Sequence, residues 1–162
     1  MSLSANPFPN DADRSAIWTM LVPRDITAYV NADWSMVEND FIAEDFMGIH
    51  GNKTGNPDGW TISFPSLAHY RDEWLRQARE GQAVDYAEDV EAGIHRATRL
   101  TEIEITGDRA IAHKKFDGEI KLGNGGVDRL NWQTLYFLRK VDGQWRLTGF
   151  VGYLPYPMGV TA

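Results

Sequence analysis

The stretch 129–154, R-L-N-W-Q-T-L-Y-F-L-R-K-V-D-G-Q-W-R-L-T-G-F-V-G-Y-L, constrains the fold more than any other part of the chain. Two long runs of aromatic and β-branched residues flank Asp142-Gly143, and Asp-Gly between apolar alternations is the strongest local signal for a tight β-hairpin. A sheet therefore forms the centre of the fold. Side chains alternate along a strand, so Trp132, Thr134, Tyr136 and Leu138 share one face while Leu135 and Phe137 lie on the other. Both faces are apolar enough to need cover. Helices of the same chain can cover one; the other is most economically met by a second copy, which predicts a homodimer through the outer sheet face.

Upstream of this hairpin the pattern is helical. After a proline-punctuated lead-in over 1–10, Asp11 or Asp13 can cap a helix whose stripe is Trp18, Val22, Ile26, Tyr29 and Asp33. Pro23 predicts a kink or a split into two shorter helices. Ser35-Met36-Val37-Glu38 reads as a capping box opening a second short helix that carries Val37, Phe41 and Ile42 inward. Phe46–His50 is a short first strand, 51–59 is turn material, and a third helix starts at Ser63 or Ser66 with Pro65 in its first turn. Leu67, Tyr70, Trp74 and Ala78 form its buried stripe and Gly81 its end. From Ala97 strands follow: one up to Thr106, a Gly107-Asp108 turn, and another over 109–122. Leu100 is out of phase with Ile103 and Ile105, which predicts a bulge. Gly123-Asn124-Gly125-Gly126 opens onto a strand rather than a helix, so it is a hairpin loop and not a phosphate cradle. Helices first and an antiparallel meander afterwards is the order of an α+β fold in a single domain over 1–162.

Composition narrows the function classes. The 162 residues suffice for one real core, and a net charge of −7 argues against a nucleic-acid backbone or an anionic membrane as partner. Cysteine is absent, which removes disulfides, thiolate metal sites and a cysteine nucleophile. The four histidines lack paired ligand spacing, so no metal is expected, and without a Gly-x-Ser-x-Gly elbow serine hydrolase chemistry is not expected either. No bilayer-length apolar run or export signal stands out, and cytoplasm is the expected compartment.

The segment Y-V-N-A-D-W-S-M-V-E-N-D-F-I-A-E-D-F-M-G-I-H-G and the closing hairpin together resemble the nuclear transport factor 2-like superfamily, which includes ketosteroid isomerases, scytalone dehydratase and SnoaL-like polyketide cyclases. The resemblance implies a cystatin-like, cone-shaped curved antiparallel sheet wrapped on N-terminal helices, with a pocket on its concave side and a dimer seam on the other. It also implies a cofactor-independent lyase or isomerase: an isomerase, dehydratase or cyclase for a small apolar or aromatic molecule. Counting from Asp45, it places His50 where ketosteroid isomerases carry their general base, Tyr136 where they carry an oxygen-donating acid, and Tyr153 at a pocket aromatic. The isomerase's helix-1 tyrosine would fall near Asp25 or Ile26, so that donor is missing.

Residue chemistry supplies the alternatives. His50 titrates near neutrality and can act as general base or acid, or can be a strand-end histidine bonded to a neighbour. Tyr136 can donate to a developing oxyanion or be a packed core tyrosine. Asp33 reads as a helix cap rather than a catalytic carboxylate. Asp117 and Glu119 share the parity of His113, although a solvated strand end explains the two acids as well, and the resemblance to scytalone dehydratase would pair His50 with His113 or His95. Trp18, Tyr29, Tyr70, Trp74, Trp132, Tyr153 and His113 are the candidate substrate-binding residues of an aromatic-walled pocket. A non-catalytic binding or scaffold dimer, or an accessory subunit like the small subunit of aromatic-ring dioxygenases, is the competing function. The proline-rich tail 155–162 is expected to fold over the pocket mouth or the dimer seam.

Overall fold

A computed structural model of the chain describes residues 3–159. Asp11 caps the first helix, α1 (Ala12–Thr19), by accepting from the Arg14 N–H, and one π turn, Met20–Arg24, joins it to α2 (Asp25–Val30). Pro23 lies in that turn. Lacking an N–H, it cannot complete the α ladder, and the helix accommodates it by widening rather than breaking. The extra residue rotates everything after it. Trp18 and Val22 consequently pack in the main core, with Leu138, Trp145 and Leu147, Ile26 and Val30 border both that core and the concave side of the sheet, and Asp25 and Tyr29 come round to face the concave side.

The capping box does not form. The Asp33 carboxylate accepts from both the Ser35 N–H and the Ser35 hydroxyl, so two single 3₁₀ turns, Trp34–Met36 and Glu38–Asp40, replace the expected second helix. Phe46 is buried ahead of β1 (Met47–His50), and β2 (Thr61–Phe64) occupies residues expected to be loop and helix start. Ser66 caps α3 (Leu67–Gln82), which leaves Pro65 outside it and Gly81 within it. A further helix, α4 (Val90–Ala97), is capped by Asp89. It lies close on the sheet, because a Cβ added at Gly118 would stand 2.8 Å from the Ala97 Cβ.

The remaining strands are β3 (Thr98–Arg99), β4 (Ile103–Thr106), β5 (Arg109–Lys121), β6 (Val127–Val141) and β7 (Gln144–Leu154). Their order is β2-β1-β7-β6-β5-β3, with β4 also on β5. Every pairing is antiparallel except β1 with β7, so the sheet is mixed rather than wholly antiparallel. The expected bulge falls between β3 and β4, where Arg99 pairs Lys115 and Ile103 pairs Ala112, four residues against three. Asp142 and Gly143 have φ of 52° and 79°, the two positive values that a tight hairpin turn needs. Asp13 ties α1 to this hairpin by accepting from Lys140 Nζ and Trp145 Nε1, each at 2.9 Å.

The lead-in is less loose than its prolines suggest: Ser4 bonds His95 at 2.6 Å, Asn6 bonds Ser15, and Phe8 packs on the core. The tail turns back at β6, where Gln133 Nε2 donates to the carbonyls of Pro155 and Tyr156; residues 1–2 and 160–162 of these two segments lie outside the described residues. Among the described residues no helix is long and apolar enough to cross a membrane.

Candidate functional site

The sheet curls round α2, α3 and α4 to enclose a cavity of about 360 Å³. Strand parity decides which side chains enter it. On β6 the lining residues are Asp128, Leu130, Trp132, Thr134 and Tyr136, and on β5 they are Lys114, Phe116 and Ile120, every second position apart from Gly118. Below them Ala112, the strand partner of Tyr136, belongs to the dry core, so Lys114 and Tyr136 mark the floor. Tyr86, Asp128 and Gln82 lie at the opposite end. The step from Tyr136 to Asp128 is roughly 26 Å of strand at ~3.3 Å per residue, which makes the cavity long and narrow.

Its walls are aromatic. Trp74 meets Tyr29 edge to face with centroids 5.7 Å apart, and Phe116, Trp132 and Tyr153 run along the sheet side with successive centroids 4.8 and 5.5 Å apart. Tyr153 enters through a bulge. Gln133 pairs Leu154 and Leu135 pairs Val151, so β7 carries an extra residue there, and Tyr153 takes φ of 54°. A left-handed non-glycine at a bulge is a conformation the surroundings must hold. Here a ring stack and a 3.3 Å hydrogen bond from the Tyr153 hydroxyl to Gln77 of α3 hold it.

The floor is polar. Lys114, 1% exposed, donates from Nζ to Asp25 Oδ2 at 2.8 Å, and Asp25 is 27% exposed. Beside this pair sit Tyr136, Tyr70 and Thr134. Burial, and then the Asp25 carboxylate, pushes the Tyr136 phenol far above its ordinary value, and burial does the same to Tyr70. Both are neutral hydroxyls at any working pH. Tyr29 is pushed up to about 12, again mainly by burial. Near the rim Glu73 is held down to about 2 by hydrogen bonds from Arg76 and Gln77.

Of the residues singled out in the sequence, Tyr29, Tyr70, Trp74, Trp132, Tyr136 and Tyr153 line this cavity. Three do not. Trp18 is turned into the core on the far side of the π turn. His113 pairs Leu135 on the opposite parity from Lys114, so it faces the outer side of the sheet and cannot meet His50. His50 has the inner parity, but the Tyr153 ring stacks over it, centroids 4.4 Å apart, and it is not among the lining residues. Its Nδ1 accepts from the Asn52 N–H at 2.9 Å, and burial holds the ring below its ordinary value. His50 and Tyr136 therefore do not face one ligand together. Asp33 is a cap, and Asp117 bonds Asn131 on the outer face.

Asp25 and Lys114 were missed. Asp25 falls one position off the apolar stripe of the first helix, and only the π turn brings it round. Lys114 sits in a His-Lys-Lys run that reads as a solvated strand face, although its parity with Phe116 and Ile120 was a usable signal. Among the described residues no group of three or more histidine and acidic side chains is placed to hold a metal ion.

Solved structures superpose on most of the chain. An NTF2-like protein with a cystatin-like fold from Novosphingobium aromaticivorans is 12% identical, with 91% of this chain and 84% of that one covered at a TM-score of 0.54. A domain of unknown function with a cystatin-like fold from Nostoc punctiforme is 16% identical, covering 93% and 80%, TM-score 0.57. The chain has the nuclear transport factor 2-like cone fold. An NTF2-like protein of unknown function from Pseudomonas putida KT2440 shares the cone at 17% identity, covering 89% and 87%, TM-score 0.55. No family model and no curated protein matches the sequence. A shared fold does not carry a function with it, so what this cavity takes must be argued from its own residues.

Proposed function

We propose that the protein binds a small, elongated, apolar or aromatic molecule in its cone and acts on it by proton transfer, as a lyase or isomerase that needs no cofactor. One observation carries this reading: an ion pair between the buried Lys114 and the partly exposed Asp25 forms the floor of an aromatic cavity. Desolvating two charges costs about as much as their attraction returns, so such a pair is poor stability design. Placed in a cleft beside a neutral phenol, it is a source and sink for protons. Asp25 takes the role of proton acceptor that the sequence suggested for His50, and Tyr136 donates to oxygen, where a preorganised hydroxyl stabilises developing charge.

The test follows the proton. With 2-acetylnaphthalene as probe in deuterated water, the wild type is expected to exchange the methyl hydrogens beside the carbonyl, and Asp25→Asn to lower that rate by roughly 10²- to 10⁴-fold. Binding without exchange would leave a ligand carrier and overturn the catalytic half. The outer sheet face supports the dimer: Ile62, Met47 and Phe137 are 62%, 42% and 38% exposed on the parity opposite the cavity, and a second copy covers them.

A further inference from the structure

The proton-transfer reading assigns steps to Asp25 and Tyr136 and uses Lys114 only as the partner of Asp25. Lys114 is an amine at the end of an apolar cavity, with Phe116 5.2 Å from its Nζ and Asp25 in hydrogen-bond contact. Of its three N–H bonds, one reaches Asp25. We propose that Lys114 is a nucleophile that forms an imine with carbonyl-bearing ligands, so that the molecules taken by the cone are aromatic or long apolar aldehydes and ketones. The proposal rests on the cavity being a ligand site.

Three features support it. Lys114 is buried with its nitrogen 2.8 Å from the Asp25 carboxylate, so one proton moved along that bond erases both charges and frees the nitrogen lone pair. Desolvation in an apolar pocket is a usual way of activating a lysine toward a carbonyl. The floor also discriminates by charge. An anionic or cationic head would leave an unbalanced buried charge beside a pair that is already neutral, whereas a carbonyl adds none.

The chemistry balances. Asp25 takes a proton from Lys114, and the amine nitrogen bonds to the carbonyl carbon as the C=O π bond opens. An N–H proton passes to the oxygen, giving a neutral carbinolamine. Asp25 returns its proton to that hydroxyl, water leaves, and the product is an iminium with the Asp25 carboxylate as counterion. The iminium draws electrons from the adjacent C–H, which Asp25 can then remove.

Reductive trapping tests this. The full chain is incubated with 6-methoxy-2-naphthaldehyde and cyanoborohydride, and the modified lysine is located by peptide mass spectrometry. Labelling of Lys114 at least about 10-fold faster than of Lys53, Lys115, Lys121 or Lys140 is the expected result, with slowing by excess 2-methoxynaphthalene, which has no carbonyl. Lys114→Met abolishes the fast phase, and Asp25→Asn slows it by about 10-fold or more, because the proton relay is gone. Equal labelling of all lysines, or labelling insensitive to the competitor, overturns the proposal. Calorimetric titration with 2-methoxynaphthalene keeps the two readings apart: saturable binding without Lys114 trapping sinks the imine alone, while absence of binding sinks the ligand site as well.

Discussion

Two ion pairs join the first helical segment to the sheet, and they differ in everything except their residue types. Lys140 reaches Asp13 at 2.9 Å at the base of the fold, with side chains 36% and 45% exposed and the Trp145 N–H sharing the carboxylate. Lys114 reaches Asp25 at 2.8 Å inside the cone, its side chain 1% exposed and the Asp25 side chain 27% exposed toward an aromatic-walled cavity. The first is a staple in high dielectric, where such a pair contributes about 1 kcal/mol or less. The second sits where its charges interact strongly and are costly to keep, a cost that stability alone does not justify. Position in the fold, not residue identity, separates a structural pair from a chemical one.

The sharpest break of this comparison removes one partner from each. Lys114→Ala leaves a carboxylate without its counter-charge and is expected to cost about 3–5 kcal/mol, whereas Lys140→Ala costs under about 1 kcal/mol; urea denaturation followed by fluorescence reads both. Replacing the inner pair whole, Lys114→Met with Asp25→Leu, is expected to restore stability to within about 1–2 kcal/mol of wild type while proton exchange on 2-acetylnaphthalene is lost. A double variant as unstable as Lys114→Ala would instead make the inner pair structural.

Smaller effects sharpen the contrast between the concave and convex faces. Phe137→Glu on the outer face should convert a dimer to a monomer in sedimentation with a change in monomer stability of under about 1 kcal/mol, and an unchanged sedimentation profile would remove the second copy from that face. Acid has the mildest effect. Glu73 titrates lower in the folded chain than its ordinary 4.5, so the stabilisation it contributes is present above that value and is lost as pH falls toward about 2. Glu73→Gln should flatten that part of the acid-unfolding curve.

The sequence was most legible where local chemistry and the tertiary fold agree. Asp142-Gly143, the parity of Trp132, Thr134 and Tyr136, the Leu100 phase break and the Ser66 cap all express backbone geometry that neighbouring residues dictate. Legibility failed where tertiary contacts choose among local options. Helix α4 was missed although Asp89 followed by Val90, Ile94 and Ala97 is a cap and a stripe, because the segment is short and polar at its edges. In β2, Ile62 is exposed and only pairing with β1 makes it a strand. The site was half legible: its aromatic walls came from strand parity for Trp132 and Tyr136 and from helical stripes for Tyr29, Tyr70 and Trp74, whereas Asp25 needed the π turn and Tyr153's cover over His50 needed a bulge. Each of these inserts one residue and so shifts the phase of the side chains beyond it.

The central claim is that the cone holds a ligand above the Lys114–Asp25 floor, and calorimetric titration with 2-acetylnaphthalene tests it most directly. Leu130 lines the cavity well above the floor pair, and Leu130→Trp fills the space without touching that pair. Saturable one-to-one binding to the wild type is expected, with a negative heat-capacity change from apolar burial, and loss of that binding in Leu130→Trp. No saturable heat in the wild type, or equal binding by the filled variant, would contradict it.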